Sequence, residues 1–466
     1  MAEGYECPGT RDFAASGTIP GQMCFFSLMS RAAYLPKRSW LVGAANRLFP
    51  TLWQRGWLDP PHLDVDELIE TAKRKSGLDD FGDEWFRHPL RQMVDALNGE
   101  AMLNPLGAFV AHGQIVKLLR DRLWTRHWFQ AHPEILRQPL RSPVIVIGPM
   151  RSGTTRLHRL LAADTRFTHL RFFEAVCPAP HPHFMPGDTD PRPATAGRIL
   201  SAVHHANPRT AAIHPTGPMQ PEEELGLLVA SAWGMKHEAQ WRVPSYGRWC
   251  EGQDATPAYQ HMARLLRLIS WIRGDGGRRP WVLKTPQHML DLPALLGTFP
   301  DARLVFIHRD PARVVGSSCS LAWNQMIIHS DQVDGDWVGR EWLRKTTLQI
   351  ERMRETRTRM NPSRMIDVRY SEMDRDWEQV MARIYEFLDM DIAPALPAMR
   401  RYMRSSDRTG QARAHRYTLA AFDLDEQEVR ERFSAYIHDH DLAPRASRPR
   451  IHFTPAVTAR KQSPAV

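Results

Sequence analysis

No stretch of the 466 residues contains the roughly 18 consecutive apolar side chains that a membrane-crossing helix needs. Met23 to Phe49 is fairly apolar, but Arg31, Lys37, Arg38 and Arg47 interrupt it. It is expected to pack as an N-terminal extension, with a peripheral membrane contact or a cover over an apolar pocket as the alternatives. The N-terminus lacks a basic segment followed by an unbroken apolar stretch, so no signal peptide is expected. Cysteine is scarce: Cys7, Cys24, Cys177, Cys250 and Cys319 are odd in number and widely spaced. With no CxxC pair, neither a disulfide framework nor a cysteine zinc site is indicated, and a cytoplasmic location is expected. Histidine is plentiful, yet His181-Pro-His183 and His204-His205 lack the i, i+4 spacing and third ligand of a metal site, so no metal is expected.

The formal net charge of +9 favours anionic ligands. The arginines are dispersed and no recognition-helix or RNA-binding signature accompanies them, which argues against a nucleic-acid partner. Hydrophobic residues make up 42% of the chain, enough for a substantial core.

The pattern divides the chain into an N-terminal extension (1–60), a helical subdomain (61–140), an α/β domain (141–443) and a disordered tail (444–466). Val65, Leu68, Ile69 and Ala72 recur at helical spacing, as do Leu118, Leu119, Leu123 and Trp124. Val144 to Ile147 is a short apolar run ending at a glycine, which marks a buried strand. Further strands are predicted at Trp281–Leu283, Leu304–Ile307 and Met365–Val368, with a helix from about Arg375 to Leu388. Asp310-Pro311 is a helix start, with aspartate as cap and proline at the first turn. Strands alternating with helices predict an α/β fold of the P-loop type: three layers around a central, mainly parallel sheet. Pro178 to Pro221, rich in proline and histidine, reads as a long loop or lid over the active site.

Gly148-Pro149-Met150-Arg151-Ser152-Gly153-Thr154-Thr155 has the spacing of a P-loop but lacks its lysine. Glycines still let backbone amides converge on a phosphate, and the helix N-terminus still adds positive potential. Arg151 supplies cationic charge from within the loop. Such a loop suits one phosphate rather than a triphosphate with magnesium.

These residues resemble the 5′-phosphosulfate-binding loop of sulfotransferases that use 3′-phosphoadenosine 5′-phosphosulfate (PAPS). Phe306-Ile307-His308-Arg309-Asp310-Pro311 through Ser317 resembles the family's 3′-phosphate segment, in which an arginine at a strand end and a serine eight residues later hold the phosphate. The span from about Asp64 to His440 resembles bacterial members with an N-terminal helical region. Local matches are Leu78-Asp79-Asp80-Phe81-Gly82, His132-Pro133-Glu134-Ile135, Pro221-Glu222-Glu223-Glu224 and His415-Arg416-Tyr417.

The resemblance implies PAPS as co-substrate, bound by Arg151, Ser152, Gly153, Thr154, Thr155, Arg309 and Ser317. Tyr370 is expected near the adenine, and Arg413, His415 and Arg416 over the 3′-phosphate or the base. It implies a catalytic carboxylate or histidine and a cation near the departing oxygen. Glu174, 23 residues beyond Arg151, is the first choice as base, with Glu222, Glu223, His181 and His183 in reserve. Lys284, at a strand end, is expected with Arg151 to stabilise the leaving phosphate. The acceptor would be a hydroxyl or amine of a small molecule, lipid or carbohydrate. Fifteen tryptophans and the apolar N-terminal stretch favour a hydrophobic one. A P-loop kinase or phosphotransferase, and a non-catalytic nucleotide-binding protein on the same scaffold, are the competing readings.

Overall fold

The computed structural model describes residues 38–185, 188–409 and 417–443. Val144–Ile147 forms strand β1 at the centre of a five-stranded sheet. The others are β2 (Thr168–His169), β3 (Trp281–Lys284), β4 (Arg303–His308) and β5 (Met365–Arg369), in the order β2-β3-β1-β4-β5. Every pairing is parallel. Four strands fall where the sequence predicts them. The two-residue β2 gives too short a signal to be read.

Alternate residues of these strands face opposite ways. Ile145, Ile147, Leu283, Leu304 and Phe306 enter one apolar cluster. Val144, Val146, Val282, Val305 and Ile307 enter another on the opposite face. Each such fully buried side chain is worth about 1.5–3 kcal/mol. Helices cover both faces, which gives the three layers. The N-terminal helices Val65–Ser76, Arg87–Gly99 and Pro105–Ala131 contribute Leu68, Leu90 and Leu119 to the first cluster, so they share its core.

Caps explain the boundaries. The Asp64 carboxylate accepts from the amides of Asp66 and Glu67 at 3.0 Å. Asp310 caps the helix Pro311–His329 through the Ala312 amide at 3.0 Å. Two helices lie where the sequence pattern marks none, and the second corrects the long loop expected at Pro178–Pro221. The extension to residue 60 contains a helix, Trp40–Gln54, started by the Ser39 hydroxyl. The Pro/His-rich lid contains the helix Arg192–Ala206. Prolines sit before and in its first turn, where a missing amide hydrogen costs nothing. Composition there hid the apolar spacing of Ala196, Ile199, Leu200 and Val203.

Candidate active site

Ligands of open parallel sheets bind beyond the carboxyl ends of the strands, and the phosphate loop leaves β1 at that edge. Arg151 has φ of +71° and Gly153 +97°, so the chain turns sharply before the helix Thr154–Ala162. A Cβ at Gly153 would lie 2.4 Å from the Tyr370 ring, so the position needs glycine for space as well as for φ. A left-handed arginine is strained by about 1–3 kcal/mol and persists where its surroundings hold it. Arg151 Nε donates to Ser317 Oγ at 3.0 Å and Nη1 to the Ile213 carbonyl at 2.8 Å. Ser318 Oγ donates to the Met150 carbonyl at 3.2 Å.

Arg309, from the end of β4, donates to the Arg151 carbonyl at 2.8 Å and lies 4.0 Å over the Tyr370 ring. Its neighbour His308 is braced by Tyr436 at 2.8 Å and Asp367 at 2.7 Å. Neither Arg151 nor Arg309 has a carboxylate within ion-pair distance among the described residues. Burial, and then the Arg309 charge, lower the Arg151 pKa. Two unneutralised guanidinium groups beside the free amides of a helix start form a site that calls for an anion. The buried Ser152 hydroxyl also lacks a partner among the described residues. These features fit a phosphorylated ligand.

Pro221-Glu222-Glu223-Glu224 is pinned beside Arg171 by a backbone bridge and by the Glu222 amide on the Leu170 carbonyl at 2.9 Å. Its three carboxylates diverge. Glu222 accepts from Thr216 at 2.9 Å and pairs with His214 at 3.2 Å. Burial pushes its pKa up, but the His214 charge and hydrogen bond outweigh that, so the net shift is downward. Glu223 pairs with Lys284, which also donates to Thr155 Oγ1 at 3.2 Å. Glu224 turns inward, accepting from the Lys284 amide at 2.9 Å and pairing with His288.

A cavity of about 1780 Å³ opens from this edge. Arg151, Gly153, Thr154, Thr155, Arg309, Ser317, Tyr370, Glu222 and Glu223 line it. Lys284 and Ser152 lie behind that lining, Lys284 held by two residues that face the cavity. The lining also includes the apolar Val176, Ile199, Leu200, Val203, Ile213 and Leu225. Arg413, His415 and Arg416 lie outside the described residues.

Glu174 is corrected: its carboxylate is 2% exposed and does not reach the cavity. One oxygen accepts from the Arg171 amide at 2.8 Å, capping the helix Phe172–Val176, and the side chain is paired with Arg273. His181 and His183 are exposed and also do not line it. Sequence reasoning missed His214, which no motif marks, and Trp377 and Tyr402, which line the end near Tyr370.

The parallel sheet, the lysine-less loop and the paired arginines define an α/β protein with a cationic, phosphate-loop-like site at the carboxyl edge of its sheet. The family model described as "Sulfotransferase family" matches residues 143–394, more than half of the chain. The chain belongs to that family. It is similar to the crystal structure of sulfotransferase STF1 from Mycobacterium tuberculosis H37Rv, with 31% identity over 81% of this chain and 100% of that one, at a TM-score of 0.70. It is also similar to sulfotransferase STF9 from Mycobacterium avium, with 25% identity over 83% and 98% of the two chains, at a TM-score of 0.71. Among characterised proteins it is 27% identical over 269 residues to the omega-hydroxy-beta-dihydromenaquinone-9 sulfotransferase Stf3 of Mycobacterium bovis. That match spans 56% of this chain and 66%, just under two thirds, of the relative.

Proposed function

We propose that the protein transfers a sulfuryl group from PAPS to a hydroxyl of an apolar small molecule or lipid. The observation that carries this reading is the pair of cationic sites at one cavity edge: the loop with Arg151, and Arg309 with Ser317. A nucleotide phosphorylated at both ends of its ribose uses both, and an ordinary triphosphate does not. Tyr370, Trp377 and Tyr402 offer aromatic surface for adenine beside them.

In this reading Glu223 is the base. It takes the acceptor proton as the acceptor oxygen bonds to sulfur and the bridging sulfur–oxygen bond breaks. The loop amides and Arg151 receive the charge that develops on the phosphate oxygen. Lys284, held between Glu223 and Thr155, adds positive charge where base and loop meet. Positioning and fixed charge do most of the work, by analogy with phosphoryl transfer. The chain's own cations supply that charge, so turnover is expected to survive chelation of divalent metals.

The test is calorimetric. 3′-Phosphoadenosine 5′-phosphate (PAP) is expected to bind roughly a hundredfold more tightly than ATP, because the 3′-phosphate adds charge-assisted hydrogen bonds. Equal affinities would overturn the reading.

We also propose that a lipid surface delivers the acceptor. The helix Trp40–Gln54 and the turn after it leave Trp40 and Trp57 76% and 68% exposed, with Leu48 also exposed. Arg47 and Arg55 are exposed beside them, a composition suited to an anionic interface. Ser39 at its start bonds to Ala206, at the end of the helix whose Ile199, Leu200 and Val203 line the cavity. Sedimentation with phosphatidylglycerol vesicles should capture the wild type and lose a Trp40→Ser/Trp57→Ser variant. Equal sedimentation of both would exclude this surface.

A further inference from the structure

The cavity lining holds one charge that the sulfuryl-transfer reading leaves unused. Lys236, in the helix Met235–Gln240, lines the cavity. Its ammonium donates to Gln114 Oε1 at 2.8 Å, and the Trp241 ring lies 5.9 Å away. An ammonium has three donors, and no second acceptor for it is found among the described residues.

Other lysines withdrawn from solvent in this fold are neutralised. Lys117 reaches Asp121, Lys284 reaches Glu223, and Lys345 lies between Glu238 and Glu251. Lys236 has no carboxylate within ion-pair distance among the described residues. The titratable groups that face it are Lys117, His237 and His329, none of them acidic. Burial, then the charge of Lys117, lower its ammonium to about 8. A cation kept without a counter-ion in an apolar cavity is costly, and an incoming anion would relieve that cost.

We propose that Lys236 seats an oxyanion carried by the acceptor, so that the preferred acceptor is an apolar alcohol bearing a carboxylate away from its reacting hydroxyl. This rests on the proposed sulfuryl transfer, which assigns the loop, Arg151 and Arg309 to the nucleotide and leaves Lys236 to the acceptor. The hydroxyl then lies toward Glu223 and the carboxylate toward Lys236, with the apolar walls around the chain that joins them. Gln240 and Gln325, which also line the cavity, are the polar neighbours available there.

The experiment measures binding to the full-length protein saturated with PAP, so the arginines of the nucleotide end are occupied. The probes are ω-hydroxylaurate and the diol of the same chain length. The hydroxy acid is expected to bind about 10- to 100-fold more tightly than the diol, as for a hydrogen bond to a charged group. In Lys236→Met the two probes should bind alike, and in Lys236→Arg the preference should largely remain. Near pH 8 the wild type should take up protons on binding the acid, read from the dependence of the heat on buffer ionisation, and Lys236→Met should not. Equal affinity for the two probes, no binding of the acid, or a preference that survives Lys236→Met would overturn the proposal. PAP titrations of each protein separate the two readings. Retained PAP affinity without acid preference sinks the anchor alone, whereas a wild type that does not bind PAP sinks the nucleotide assignment beneath it.

Discussion

Replacing Glu223 with glutamine is expected to lower kcat by about 10²–10⁴-fold, the usual contribution of a general base, while PAP affinity stays unchanged. The amide keeps the shape of the side chain and loses the ability to take a proton. Glu223 faces the cavity and is paired with Lys284, so it lies where both the loop and the acceptor can be reached. Glu174→Gln provides the contrast. Its carboxylate is buried against Arg273 and caps a short helix, so the change should cost stability, about 1–3 kcal/mol, with kcat largely retained. Turnover assays with saturating PAPS and urea melts of both variants separate the roles. If Glu223→Gln keeps wild-type turnover, the base lies elsewhere. His214, held by Glu222 at the cavity wall, is then the residue to replace.

The loop and the Arg309–Ser317 segment were legible as a pair of motifs because local chain geometry dictates each of them. The strand, the glycine-bearing turn and the helix start occupy one continuous stretch, Val144 to Thr155, and Arg309 at a strand end lies only eight residues before Ser317 in the helix that follows. The structure joins these segments through Arg151, which bonds Ser317 directly. The choice between Glu174 and Glu223 was not legible by the same means, because both follow the loop at distances set by long-range packing. Glu174 has a local partner pattern, Arg171 three residues earlier, that forms a capping box. That pattern signals a structural role, yet it looks the same as any carboxylate near an arginine. Glu223 is placed by a bridge between Arg171 and Pro221, fifty residues apart in sequence, and by Lys284 on β3. Three adjacent glutamates gave no sign that Glu222 and Glu223 would face the cavity while Glu224 turns into the core. The helix Arg192–Ala206 was hidden for a different reason, since prolines at its start look like loop composition until the apolar spacing behind them is counted. Lys236 stood out in no motif, because a lysine becomes informative only when its neighbours prove to lack a negative charge.

Replacing Glu224 with alanine is expected to destabilise the fold by about 3–5 kcal/mol, the cost of removing one partner from a buried ion pair. Glu224 and His288 are both 0% exposed. The other His288 nitrogen contacts the Tyr259 hydroxyl at 2.9 Å, and the second Glu224 oxygen accepts from the Lys284 amide at 2.9 Å. Truncation therefore strands an imidazole nitrogen and a strand-end amide in the core, where each unmet group costs about 1–3 kcal/mol. It also loosens the backbone that presents Lys284, so turnover should fall along with stability. The pH dependence identifies the cause. Burial alone would raise the Glu224 pKa, but the hydrogen bond and charge of His288 outweigh it and hold the carboxyl below its ordinary 4.5. A carboxyl depressed in the folded state contributes its full stability above the unfolded value and loses it as pH falls through the folded one. The stability gap between wild type and Glu224→Ala should therefore be widest near neutrality and narrow below about pH 4.5. Urea midpoints measured from neutral pH into acid read this gap directly. A gap that stays constant over that range would mean that Glu224 is buried as the neutral acid, and that the link from the core to Lys284 is a neutral hydrogen bond rather than an ion pair.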